Sequence, residues 1–311
     1  MRYKNIFTIF SIIFILITSN TYALSTQEKI IILRNYLKNL NSIKEFQIDN
    51  AVNKTINCLN LAEREVASKI DDIYRAAKDE KKTIYYFHLS KKISYCPDLR
   101  ISITDDYLVP DGKFKKGMIS LNYNFVKECK KTKRFGIFTS VKCDKNDIYV
   151  YLMHEFTHYA FSLLYKDWKF RDVIYSEEDN CSCKKRKCKN KKLIKTIATE
   201  RRFFDEFPPT YYSYYIQFNE NCPIDSNGIY KFYDNYNFIF FYGLNEYRDC
   251  VLNDGCDIYK VYILGEKMGR NTNICIDRKT ALKAILELTI QKEKKIFAPK
   301  IRKLIRVLKS N

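Results

Sequence analysis

The chain has 311 residues, 55 Lys and Arg against 36 Asp and Glu, three histidines, and a formal net charge of +19. Beyond the N-terminus no segment is apolar over a run long enough to cross a bilayer, which excludes an integral membrane span in the mature protein. A positive field of this size favours acidic partners such as nucleic acid, an anionic envelope or an acidic protein surface, although lysine enriched together with Ile, Asn, Tyr and Phe is also the residue usage of A+T-rich codons.

Arg2 and Lys4, the apolar run Ile6 to Thr18 and the triplet Thr21-Tyr22-Ala23 stand in the order of a secretory signal peptide cleaved near Ala23, with an uncleaved anchor as the alternative. Removal of Arg2 and Lys4, the only charged residues of segment 1–23, lowers the charge from +19 to +17. Export to a secreted or periplasmic location makes disulfides, rather than thiols, the expected state of the eleven cysteines, with at least one left over. Cys181, Cys183 and Cys188 do not have zinc-ribbon spacing and read as staples of a long basic loop.

Residues 24–82 are predicted helical, with Ile30, Leu37, Leu40, Ile56, Leu59, Val66 and Ile70 at helical spacing. Short β-rich runs follow from Thr83: Ile84 to Phe87, Ile101 to Thr104, and the alternating Gly117 to Tyr123 after the turn signal Val109-Pro110-Asp111-Gly112. Asp147 to Tyr165 is predicted as a helix that is apolar on most faces, hence buried. At its centre stands His154-Glu155-Phe156-Thr157-His158. Positions i and i+4 share a helix face, so both imidazoles reach one ion, while Glu155 projects from a neighbouring angle suited to holding a water. This is the H-E-x-x-H arrangement of zinc metallopeptidases; a chance pair of helix-face histidines is the competing reading.

A helix, several strands with the last one alternating, and then a buried H-E-x-x-H helix resembles the upper subdomain of the zincin metallopeptidases, over roughly residues 83–207. The resemblance implies an α+β fold: a helical region at 24–82, a zincin-like catalytic domain at 83–250 with a mixed sheet and a buried active-site helix, and a disulfide-containing helical region at 251–311. It implies that Met118 to Tyr123 lines the cleft and pairs with extended substrate backbone. A catalytic site of this kind holds one Zn2+ through three protein ligands, here His154, His158 and a third, with Glu155 as general base.

Phe161 and Leu164 stand where the metzincin pattern has Gly and His, and no histidine follows His158. The third ligand is therefore expected to be a carboxylate from a second helix, as in the gluzincins, with a cysteine less favoured. Glu200 is the leading choice. It lies in Leu193 to Phe207, read as a helix stopped by Pro208-Pro209. The segment is also similar to the Glu-x-Phe-Phe-Ala-Glu helices of lethal-factor-type zincins, with an arginine in place of the first glutamate. Glu206 at the helix end, Glu178 at a thermolysin-like distance from His158, and Asp205 are the alternatives. His88, Tyr211, Tyr212, Tyr214 and Tyr215 are candidates for steadying an oxyanion, and none is singled out.

The leading expectation is a secreted zinc-dependent endopeptidase acting on a protein or peptide. The alternatives are an exported basic protein that binds nucleic acid or an anionic envelope and carries a structural or vestigial zinc, and a zinc amidase acting on a non-peptide substrate. The aromatic-rich stretch Phe207 to Tyr242 reads as core packing. The basic amphipathic segment Ala281 to Lys309 reads as a docked terminal helix, with a membrane-surface helix as the alternative. Segment 24–80 is open to reading as an inhibitory pro-segment.

Overall fold

A computed structural model describes residues 24–78, 84–88, 100–104, 112–115, 118–122, 130–134, 138–142, 145–165, 168–182, 190–219, 222–225 and 227–310. The segment 1–23 read above as a signal peptide, the turn at 109–111, and Cys183 and Cys188 lie outside the described residues.

The fold is mostly helical, which corrects the expected α+β architecture built on a mixed sheet. Two helices open it, α1 (Thr26–Ser42) and α2 (Glu45–Lys78). α1 begins at a capping box: Ser25 Oγ accepts from the Glu28 N–H, and the Glu28 carboxylate accepts from the Ser25 N–H at 2.7 Å. Its residues Ile30, Leu33, Tyr36 and Leu40 recur at helical spacing and are buried.

The β-rich runs pair only as short strands: β1 (Ile84–His88), β2 (Arg100–Thr104), β3 (Gly112–Lys115), β4 (Met118–Asn122), β5 (Lys130–Arg134) and β6 (Phe138–Lys142). The order β1-β2-β4-β3 places β4 between β2 and β3, and β5 pairs with β6. β4 is thus paired on both sides, whereas strand addition by a substrate needs a free edge. The expectation that Met118 to Tyr123 receives substrate is corrected for Met118–Asn122; Tyr123 lies outside the described residues. Of the strand side chains, Ile119 enters the described core.

The rest of the body is α3 (Lys145–Leu164), α4 (Lys169–Ser182), α5 (Lys191–Asn219), α6 (Gly228–Asp249), α7 (Tyr259–Arg270), α8 (Arg278–Lys292) and α9 (Ala298–Lys309). π-helical turns lie at Cys250–Asp254 and Glu293–Phe297. The first ends at Gly255, whose φ of 73° is left-handed, and Cys250 and Cys256 form a disulfide across it. A second disulfide, Cys222–Cys275, ties the segment after α5 to the one before α8, and Cys58 and Cys181 are also disulfide-bonded. Disulfides persist in oxidising compartments, which agrees with export. Among the described residues no helix is long and apolar enough to cross a membrane.

α5 is the central element, and it departs from the sequence reading. Instead of stopping before Pro208-Pro209 it runs through both to Asn219. Each proline removes one i→i−4 hydrogen bond, at a cost of about 3 kcal/mol in an ordinary helix interior. Burial outweighs that cost, since Phe203, Phe204, Phe207, Tyr211 and Tyr215 are all buried around the two prolines. They pack against Phe232, Tyr236 and Phe240 of α6, so one face of the aromatic-rich stretch is core, while Phe218, Tyr230, Phe238, Phe241 and Tyr242 are exposed.

A buried charge cluster fixes the rotation of α5. The Arg201 guanidinium pairs with Asp205 Oδ1 at 2.6 Å and with Glu293 Oε1 at 2.8 Å. Arg171 of α4 pairs with Asp205 Oδ2 at 2.8 Å, while Tyr36 and Tyr165 both donate to Glu293 Oε2, at 2.8 and 2.7 Å. Helices α1, α4 and α5, Tyr165 just after α3 and the second π turn thereby meet at one point. The apolar face of α9 (Ile301, Leu304, Ile305, Leu308) is likewise buried, leaving Arg302, Lys303, Arg306 and Lys309 exposed.

Candidate metal centre

α3 carries His154, Glu155 and His158 in the middle of a buried helix: Leu152, Met153, Phe156, Tyr159 and Ala160 around them are in the core. The two histidines lie one turn apart on the face toward α5, each with a side chain 14% exposed. Their Nε2 atoms are 3.1 Å from each other.

The carboxylate that the fold brings to them is Glu206. Its Oε2 lies 3.4 Å from His154 Nε2 and 3.3 Å from His158 Nε2. The reason is local. Successive residues on a helix project about 100° apart, so anchoring Asp205 in the Arg201–Arg171 cluster turns Glu206 toward α3. His154, His158 and Glu206 form the one group of three potential metal-binding side chains found among the described residues.

Glu200 is placed elsewhere. It is six residues from Glu206, about 240° around the helix and about 9 Å along it, so it faces α6 and α9 rather than α3. Its side chain is fully buried, and Oε1 receives Arg248 Nη2 at 2.5 Å together with Lys300 Nζ. This corrects the preference for Glu200 as third ligand: it is held in an ion pair remote from the histidines. Glu178 pairs with Arg202, and Asp205 belongs to the buried cluster, so neither joins the histidines.

The donor set fits a tetrahedral zinc. Arms of 2.0–2.1 Å at tetrahedral angles separate neighbouring donor atoms by about 3.3 Å. The triangle of two imidazole nitrogens and one carboxylate oxygen has edges of 3.1, 3.3 and 3.4 Å. Two nitrogens and an oxygen are also the donors that zinc takes in open, three-ligand sites.

Electrostatics couple the group. Burial disfavours the His158 imidazolium, yet the adjoining Glu206 carboxylate outweighs burial and raises the pKa above the ordinary histidine value. Burial alone would raise Glu206 as well; the charge of His158 and hydrogen bonds from both histidines hold it well below the usual carboxylate range. Glu155 is 2% exposed, with Oε1 4.0 Å from His154 Nε2, so its carboxylate adjoins the triangle without being part of it.

Surrounding groups orient these side chains. Thr210 Oγ1, one turn beyond Glu206, donates to the Glu206 carbonyl at 2.7 Å and lies 3.4 Å from His154 Nδ1. An Nδ1–H directed at Thr210 leaves the His154 Nε2 lone pair pointing into the triangle. The tyrosines favoured by position are engaged elsewhere: Tyr211 donates to Thr272, Tyr212 to the Arg278 carbonyl and Tyr215 to the Ile274 carbonyl, and Tyr214 stacks under Arg270. His88 ends β1, opposite Arg100. The tyrosine at the site is Tyr262 of α7, which sequence reasoning did not single out among twenty-five.

Neither family models nor curated proteins nor solved structures show a match to this chain.

Proposed function

We propose that this chain is an exported zinc-dependent peptidase of gluzincin type, with His154, His158 and Glu206 as metal ligands and Glu155 as general base. The observation that carries the reading is the triangle of donor atoms at tetrahedral spacing. It joins two histidines of an H-E-x-x-H helix to a carboxylate from a second helix, beside a buried glutamate. A zinc ion held there supplies Lewis acidity toward a water and a peptide carbonyl.

The chain's own groups do the rest. Glu155 takes a proton from the attacking water and delivers it to the leaving amine nitrogen. Its burial among apolar α3 neighbours keeps competing water from the carboxylate. Thr210 and the Arg201–Asp205 cluster hold His154 and Glu206 in place throughout.

Metal content and peptide hydrolysis, measured on the unaltered protein and on Glu155→Gln, test the proposal together. The expected result is about one zinc per chain in both proteins, with turnover in Glu155→Gln lower by about 100-fold or more. Undiminished proteolysis in Glu155→Gln, or an unaltered protein that takes up no zinc, rejects it.

A further inference from the structure

Glu206 meets both histidines through a single oxygen, and that same Oε2 accepts a hydrogen bond from the Tyr262 hydroxyl at 3.2 Å. The Tyr262 ring lies 6.0 Å from the His154 ring, so this side chain borders two of the three ligands. Tyr262 belongs to α7, far in sequence from the H-E-x-x-H helix and on no motif.

The close approach of α7 to α5 has a visible cause. Tyr262, Gly265 and Gly269 stand at i, i+3 and i+7, on one face of α7. A Cβ at Gly265 would lie 2.7 Å from Thr210 Cβ, and one at Gly269 would lie 2.7 Å from the Tyr211 carbonyl oxygen. Any larger residue would separate the helices, so the two glycines let the backbones touch where Tyr262 reaches the site. The residue under Gly265 is Thr210, whose hydroxyl faces His154 Nδ1. One face of one helix thus governs a histidine and the carboxylate.

We propose that α7 is the positioning element of the metal centre: Tyr262 orients the Glu206 carboxylate, and Gly265 seats Thr210 against His154. The inference rests on the zinc reading above and adds residues outside the ligand set. Metal ligands hold their geometry through hydrogen bonds to outer partners, and loss of one such partner typically weakens metal affinity by about 10–100-fold. Ordinary core packing does not account for Tyr262 equally well. Its acceptor sets it apart: Tyr211, Tyr212 and Tyr215 donate to threonine or backbone oxygens, and Tyr36 and Tyr165 to Glu293 of the buried charge cluster, whereas Tyr262 donates to the oxygen that meets both histidines.

The test uses full-length protein stripped of metal by chelation. Zinc affinity is read by competition with a chromophoric chelator, and ligand geometry by the visible spectrum of the Co2+-loaded protein. Tyr262→Phe keeps the ring and removes the hydroxyl. Zinc affinity is expected to fall about ten-fold or more and the Co2+ bands to shift, while the melting temperature of the metal-free protein stays put. Tyr215→Phe loses a buried hydroxyl bond away from the centre and is expected to leave both metal readouts unchanged. Unaltered zinc affinity and Co2+ spectrum in Tyr262→Phe overturn the proposal. Should that variant fail to fold, Thr210→Val reads the same shell from the His154 side, and unchanged affinity there overturns it equally. Absence of zinc binding by the unaltered protein sinks both readings, whereas zinc binding that is indifferent to Tyr262 sinks this one alone.

Discussion

Glu200 and Glu206 sit six residues apart on one helix and have opposite occupations. Glu206 has two histidine nitrogens within 3.4 Å, whereas Glu200 is fully buried between Arg248 and Lys300. Two substitutions separate them. Glu206→Ala is expected to abolish zinc uptake. Glu200→Ala is expected to leave zinc uptake intact and to lower stability by about 1–3 kcal/mol, because it leaves two half-buried cations without their carboxylate; metal analysis and chemical denaturation read the two effects. The opposite pattern, zinc lost with Glu200 and kept without Glu206, would reverse the assignment. Lys292 offers a test by pH. Burial, with repulsion from Lys295 added, pulls its pKa from 10.5 down to about 8. Between those values the unfolded chain binds more protons than the folded one, so stability rises with pH across that window. Lys292→Met removes the burden of a buried ammonium. Its melting temperature is expected to exceed that of the unaltered protein at pH 7, with the difference closing as pH rises from 8 toward 10.

Among elements, α7 lies close against α5. Gly265→Ala places a methyl group 2.7 Å from Thr210 Cβ, on the branch point of a short side chain rather than a flexible end. Overpacking of this kind costs about 1–3 kcal/mol. The displacement it forces also lifts Thr210 from His154 and Tyr262 from Glu206. Reduced zinc affinity is therefore expected to accompany reduced thermal stability, and a variant with full affinity would show that the α5–α7 spacing is not critical. α5 shows the limit of local rules. Pro208-Pro209 reads as a stop, and that reading made Glu206 a frayed-end residue and Glu200 the better-held ligand. Tertiary burial of the flanking aromatics carries the helix onward to Asn219 and makes Glu206 an interior residue.

At the scale of the whole molecule, one core runs from Ile30 to Leu308. Tyr36 of α1 reaches the Arg201–Glu293 cluster, Lys29 pairs with Glu177, Glu63 of α2 with Arg278 and Asp49 with Lys283. An inhibitory segment designed for removal would be separable, and this one supplies core. Deletion of residues 24–44 is expected to abolish cooperative unfolding rather than to activate hydrolysis; circular dichroism melts of the truncated chain check it, and a truncated protein that still melts cooperatively would restore the pro-segment reading. The C-terminal helix is spoken for in the same way, since its apolar stripe is already buried and only its basic face meets solvent.

The amino-acid order alone put His154 and His158 on one helix face with Glu155 beside them. The i, i+4 spacing acts within one helix and needs no knowledge of the rest of the chain. It likewise marked the helical N-terminal region and, because no further histidine follows, made a carboxylate the expected third partner of the two histidines. Three-dimensional packing decided what depends on partners distant in sequence. It chose Glu206 over Glu200 through the anchoring of Asp205, and a mostly helical body over a mixed sheet. It also chose Tyr262 over nearer tyrosines, through two glycines whose effect exists only when α5 lies against them. Local periodicity reports which way a residue faces on its own helix; which neighbour it then meets is a property of the assembled core.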